Sequence, residues 1–216
     1  MINSEFEEIR DAIYDLEIER DKIRSLIQSL RSRREEIKAE LQASEEAQIV
    51  IQEEAKSTQS EIEEHISGIV TLALSAVEVD DKRVPKPPEF IARAVVRRKS
   101  TEIDLIFKEG DREQRPLYCS GFGFIDVADV ALRIAFIELE IEYVDDKIRK
   151  TLILDEPFRN VDPLLQYKVS DMLSAISKEL GYQFIIVSHA EGVNTGADRE
   201  FQVQKIGKES RVTVSS

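Results

Sequence analysis

Asp155 and Glu156 stand side by side at the end of an apolar run, in the stretch TLILDEPFRNVD that closes on Asp162. A strand such as Leu152–Leu154, apolar on both faces, suits the centre of a parallel sheet, and ligands of open α/β folds sit at the carboxyl ends of such strands. There Asp155 is placed to hold Mg²⁺, directly or through water. Glu156 is placed to orient and deprotonate an attacking water, since phosphoryl transfer relies on positioning and charge stabilisation. Taken alone, the pair is also what ends an ordinary strand and caps the next helix. A second apolar strand, FIIVSH, ends in Ser188 and His189. A histidine just past that terminus, beside the first strand's carboxylates, can contact a terminal phosphate.

A phosphate also needs a cradle of backbone N–H groups and a lysine, the pattern G-x-x-x-x-G-K-[ST]. The only Gly-Lys pair is Gly207-Lys208, which is followed by Glu209, lacks the upstream glycine and lies between strand-like segments. If Asp155 and Glu156 are the metal and water side of a phosphate site, its P-loop is not among the 216 residues.

The elements that position these residues fall into two parts, expected at 1–75 and 76–216. Residues 4–66 contain neither Gly nor Pro. With heptad positions a at Phe6, Ile13, Arg20, Ile27, Arg34 and Leu41, the d positions are Ile9, Leu16, Ile23, Leu30, Ile37 and Ser44, and nine of these twelve are apolar. That repeat predicts a coiled-coil strand roughly 90 Å long. Arg20, Arg34 and Ser44 weaken its seam, which favours an antiparallel or heterotypic partner. A long helix of an ordinary bundle is the plainer alternative. No second helix of comparable length follows, so the covering strand is expected from another molecule, through 4–66.

Gly68 and IVTLALSAV mark the entry into a globular body, and DDKRVPKPPEF is a proline-stiffened connector. ARAVVRRK and EIDLIFK predict a β-hairpin joined by STE, with EGDREQRP as a further turn. SGFGF opens a glycine-containing loop into the helical pattern IDVADVALRIAFIELEIEYVDDKIRK. From Thr151 the order is strand, the helix PLLQYKVSDMLSAISKEL, strand, then REFQVQKI and SRVTV. This is an α/β pattern with a buried, mainly parallel sheet.

Charged residues make up 34% and aromatics 6%, with no Trp, the profile of a long helix joined to a globular part. One Cys, Cys119, and two His, His65 and His189, exclude a disulfide framework and a dense Cys/His metal site. No signal-like start and no membrane-spanning apolar run is present, so a cytoplasmic protein, from a bacterial or phage-infected cell, is expected. The net charge of −13 opposes general attraction to nucleic acid. Residues 82–99 nevertheless gather Lys82, Arg83, Lys86, Arg93, Arg97, Arg98 and Lys99 against one acid, Glu89. Such a patch fits a solvated hairpin as well as DNA contact.

LILDEPFRNVD resembles the Walker B motif and D-loop of ABC-type ATPase heads, and FIIVSH their switch-histidine loop. YCSGFGFIDVADVALRIAFIEL is similar to their signature motif and the helix behind it. With a long coil strand, the resemblance is to SMC and SbcC-type DNA-repair and chromosome-maintenance ATPases, and the Ser-Gly-x-Gly form is similar to that of phage-type members. It covers 90–216, the C-terminal half of a head, and one coil strand at 1–75, with three motifs in the family's order.

The resemblance implies ATP and Mg²⁺, with Asp155 at the metal and Glu156 as general base. It further implies Asp162 as the D-loop aspartate acting across a dimer interface and His189 as γ-phosphate sensor. Ser120, Gly121 and Gly123 would lie in the signature loop against ATP on an opposing head. Arg93, Arg97, Arg98 and Lys99 fall near the coil–head junction, where the family binds DNA. Phe122 and Gly123 stand where the family has Gly and Gln or Glu, and the zinc hook is missing because its Cys-x-x-Cys cannot be made from one Cys. The P-loop would be supplied by another chain, an N-terminal half or a partner ATPase. Two functions stay open: half of an ATPase that hydrolyses nothing alone, and a non-catalytic coiled-coil protein that docks on a complete ATPase and regulates it.

Overall fold

The computed structural model describes residues 2–98, 100–118, 121, 123–144, 147–207 and 209–215. They form two compact units, Met1–Ser57 and Thr58–Ser216. Helix α1 runs from Ile2 to Ala76 without a break at Gly68, so its last turns belong to the second unit. In the first unit both seam positions are open to solvent, with Ile9, Leu16, Leu30 and Leu41 more than half exposed. Its ion pairs are short-range and exposed, as in Arg33–Glu36 at 3.1 Å, and pairs of that kind add only tenths of a kcal/mol, roughly 0.3–0.5.

In the second unit the same helix becomes a core element. Ile66, Val70 and Leu74 are fully buried, on the i, i+4, i+8 spacing of one helical face, and Val77 just past the helix end is buried with them. That face lies against β1 (Glu89–Arg97), which pairs antiparallel with β2 (Ser100–Glu109), and β2 pairs with β3 (Arg112–Gln114). Phe90 and Phe107 meet edge to face at 5.8 Å between ring centres. The helix also supplies hydrogen bonds along β1. Glu63 Oε1 accepts from the Ala94 amide at 2.7 Å, Ser67 Oγ from Ala92 at 2.9 Å, and Thr71 Oγ1 from Phe90 at 3.0 Å. Residues four apart on the helix thus meet residues two apart on the strand, because four helical rises of 1.5 Å nearly equal two strand rises of about 3.4 Å. The edge amides of β1 would otherwise be unpaired.

The hairpin turn lies earlier than the sequence pattern suggested. Arg97 faces Ser100, so Ser100–Glu102 belong to β2, and Arg98 takes a left-handed φ of 50°. A two-residue hairpin loop needs such positive φ values. EGDREQRP likewise holds a second hairpin, with Glu109 opposite Arg112 across Gly110 at φ 61°.

Helix α2 (Phe124–Tyr143) buries Val127, Val130, Ala131 and Ile134. β4 (Thr151–Asp155) and β5 (Gln183–Val187) are parallel, joined by α3 (Pro163–Leu180). Lys150 just before β4 is held by Glu138 of α2 at 2.8 Å and lies over the ring of Tyr182 at 5.4 Å. β6 (Glu200–Ile206) and β7 (Glu209–Ser215) close a third, antiparallel sheet. The class is α/β as expected, but among the described residues the parallel part is one strand pair, β4–β5, beside two antiparallel sheets. Strand β4 is also not buried on both faces: Leu152 and Leu154 are buried, whereas Ile153 is 74% exposed. Among the described residues no helix is long and apolar enough to cross a membrane.

Candidate functional site

The parallel register sets Asp155 opposite Val187, so β4 and β5 end together. Past that edge the Glu156 amide donates to the Val187 carbonyl at 2.8 Å, which carries the ladder one residue further. Glu156 has φ 47°, a left-handed conformation that a non-glycine residue adopts at a cost of order 1–3 kcal/mol. It turns the chain sharply and points the carboxylate towards the β5 terminus. There Glu156 Oε1 meets His189 Nδ1 at 2.9 Å, and Ser188 Oγ donates to Oε2 at 3.4 Å. The His189 contact, followed by its charge and the Ser188 hydroxyl, outweighs desolvation and holds the Glu156 carboxyl below its ordinary pKa. Glu156 is therefore an ionised acceptor at neutral pH.

Asp155 is exposed at the strand end. No group of three or more His, Cys, Asp or Glu among the described residues is arranged to hold a metal unaided. Mg²⁺ is commonly bound through one or two carboxylates plus waters and substrate phosphates, and Asp155 offers one such carboxylate at this edge. His189 is held from behind: the segment after it docks on α3, where Ser170 Oγ accepts from the Gly196 amide at 2.7 Å and Gln166 Oε1 from Gly192 at 3.3 Å.

Asp162 caps α3, accepting from the Leu164 amide at 2.9 Å ahead of Pro163. The glycine loop reaches this same turn. Gly123 lies so close that a Cβ there would stand 2.4 Å from Val161 Cα and 2.7 Å from the Asn160 carbonyl oxygen. Its φ of 79° is a second reason for glycine. Gly121, at φ 130°, precedes it, and a Cβ there would meet no atom within 4 Å. Ser120 lies outside the described residues, as does Lys99 of the basic group. The structure thus brings Asp155, Glu156 and His189 to one edge, and Gly123 to the turn that ends at Asp162.

Sequence reasoning passed over Asp126 and Asn160. Asp126 Oδ2 accepts from the Asn160 amide at 2.8 Å and Oδ1 from Asn160 Nδ2 at 3.3 Å. The acid in the first turn after SGFGF and the amide in FRNVD were the visible signals; their pairing required the fold.

Two arginines of the basic hairpin are neutralised from within. Arg93 forks onto both Glu113 oxygens at 3.1 and 2.9 Å, and Arg97 bonds Asp104 at 2.8 Å and Glu102 at 3.2 Å. Arg98, at the turn, is exposed.

No family model and no curated protein sequence matches the chain. Solved structures do. An Smc head domain with a coiled coil and joint from Pyrococcus yayanosii aligns with a TM-score of 0.57 at 20% identity, over 87% of this chain and 34% of that one. A structure from a study of ATP-driven dimerization and DNA-stimulated activation of SMC ATPases aligns at 0.53 and 20% identity, over 74% of this chain and 89% of that one. The chain has the SMC head fold. A third neighbour, an Smc head bound to the C-winged helix domain of ScpA, gives 0.52 and 20% over 74% of this chain and 44% of that chain. Against two of these three SMC heads the present chain spans less than half of the neighbour's length. The long α1 helix and the small sheets are the parts expected of a head's C-terminal lobe with its coil.

Proposed function

We propose that the chain is the C-terminal half of an SMC/SbcC-like ATPase head that acts in DNA repair, recombination or chromosome maintenance. The observation that carries this reading is the meeting of Asp155, Glu156 and His189 at the shared end of two parallel strands. In this role Glu156 takes the proton of the attacking water, and His189 contacts the γ-phosphate of ATP. Asp155 would hold Mg²⁺, whose charge would offset that of the phosphates. Asp162 and the loop at Ser120, Gly121 and Gly123 face an opposing head.

A P-loop from outside these 216 residues completes the site. Two bare apolar surfaces support such a partner. Ile153, Ile185 and Val187 leave one face of β4–β5 at 74, 47 and 58% exposure. Phe201 opposite Val214 and Val203 opposite Val212 give the β6–β7 hairpin an apolar face 58–65% exposed. A two-stranded hairpin is marginal in water on its own. The partner's coil strand would cover the exposed part of the 4–66 seam, short of Ile66, which this chain buries itself, and the Arg93, Arg97, Arg98 and Lys99 group is a DNA contact in which Arg98 is the residue to test first.

The test is reconstitution. The chain alone should not hydrolyse ATP, and mixing with a P-loop half should give DNA-stimulated hydrolysis. Glu156→Gln should lower that rate by about 10²–10⁴-fold, the usual contribution of a general base, and prolong the dimer of heads. Equal hydrolysis with Glu156→Gln would show that Glu156 is not the base. A P-loop partner that binds and hydrolyses at a rate the chain merely alters, untouched by Glu156→Gln or His189→Ala, would establish the regulatory alternative.

A further inference from the structure

Three features outside the assigned residues stand out: the orphaned Nε2 of His65 on α1, the small cavity beside Gly121, and the Asp126–Asn160 contact. The third joins two functional loops through named atoms, and it goes furthest. We infer that Asp126 is a positioning residue that locks the signature loop to the D-loop of the same chain, so that ligation of one is felt by the other. The inference rests on the ATPase reading above.

Asp126 sits in the first turn of α2, directly after the glycine loop. The turn closes without it, because the Gly123 carbonyl accepts from both Asp126 N at 3.0 Å and Val127 N at 3.2 Å. Gly123 has no side chain to cap the helix, and the Asp126 carboxylate is turned outward to Asn160. It takes the main-chain amide and the side-chain amide of one residue, a two-point attachment that fixes direction as well as distance.

The receiving segment is itself stiff. Phe158 and Val161 are 1 and 3% exposed, the Val161 amide bonds the Phe158 carbonyl at 3.2 Å, and Asp162 caps α3. Against it lies Gly123, with no room for even a methyl group. Gly123 against Val161 and Asp126 forked onto Asn160 give the start of α2 two attachments to the turn that ends at Asp162, so a displacement of one is passed to the other. In the proposed dimer the signature loop touches nucleotide held by the opposing head, while Asp162 reaches across the interface. Asp126 therefore ties the two sites together, with no contact of its own to nucleotide.

The experiment uses the chain reconstituted with its P-loop half and measures kcat, KM for ATP and the Hill coefficient below the melting temperature of every variant. Asp126→Ala should lower kcat by about tenfold or more, in the range expected when a positioning contact is lost, and reduce the cooperativity between heads, with KM changing less. Asn160→Asp should do the same by setting two carboxylates together. The combined Asp126→Asn and Asn160→Asp exchange should recover most of the loss, because amide and carboxylate then pair in the opposite sense. An acid that only favours a helix N-terminus would not be rescued by a change at position 160. Unchanged kcat and cooperativity in Asp126→Ala, or a double exchange no better than Asn160→Asp, would overturn the inference while wild-type hydrolysis and its loss in Glu156→Gln leave the ATPase reading standing. Absence of hydrolysis in the wild-type pair would overturn both.

Discussion

One helix passes through two environments. Along the first unit, α1 carries Phe6, Ile9, Leu16, Leu30 and Leu41 at 57–70% exposure, whereas in the second unit its Ile66, Val70 and Leu74 are at 0%. Residue types and spacings are much alike in the two stretches. What differs is a partner surface: β1 meets the second stretch through Glu63, Ser67 and Thr71, and nothing among the described residues covers the first. Amphipathic spacing states that a face needs covering and leaves open what covers it.

The comparison can be broken at its strongest point by matched truncations. Leu74→Ala should destabilise the chain by about 2–5 kcal/mol, as large-to-small changes in packed cores do, seen as a lower urea midpoint. Leu30→Ala should leave that midpoint within about 0.5 kcal/mol of wild type, the range of surface changes away from special features. With a coil partner bound, Leu30→Ala should gain a cost of its own. A large loss from Leu30→Ala in the unpartnered chain would show that the seam is already covered.

The polar side of the contrast gives a smaller effect. Ser67 and Thr71 meet the amides of β1, while Ser25 and Ser29 in the first unit bond only their own helix, to Lys22 and Leu26 carbonyls at 2.8 and 2.9 Å. Ser67→Ala leaves the Ala92 amide without its partner and should cost about 1–3 kcal/mol, with faster hydrogen exchange at Ala92. Ser25→Ala should cost nothing measurable. Equal effects would remove the β1 ladder as a distinguishing feature.

The smallest effect concerns the exposed site. Glu156 titrates below its ordinary value because the ionised form is held by His189 and Ser188. Whatever stability this gives is present above the unfolded pKa of about 4.3 and is lost as pH falls through the lower folded value. Its NMR titration should therefore have its midpoint below that of a free glutamate, and His189→Ala should move it upward. A midpoint unmoved by His189→Ala would separate the two side chains in solution.

Much of this was legible in the residues. The heptads, the α3 boundaries at Asp162 and Gly181, and the paired strands of TLIL and FIIV follow from local chemistry: a cap, a proline at the first turn, a left-handed glycine, and runs of β-branched residues. The hairpin turn was misplaced because Ser-Thr-Glu reads as a loop by composition, while Arg98 accepts positive φ where glycine would be the usual signal. The expectation that β4 is apolar on both faces for burial's sake was correct about the residues, but the described chain covers only one face.

By itself the sequence determined which side chains are available for phosphate chemistry, and that no P-loop lies among the 216 residues. It also determined that a long helix carries an apolar seam from Phe6 to Leu41, since periodicity and composition are local properties. Only the tertiary structure decided that Glu156 turns back onto His189, that Gly123 leaves no room above Val161, and that Asp126 takes the Asn160 amide. Those contacts join residues more than thirty positions apart, and their geometry exists only once two strand ends and a helix start are brought to the same edge.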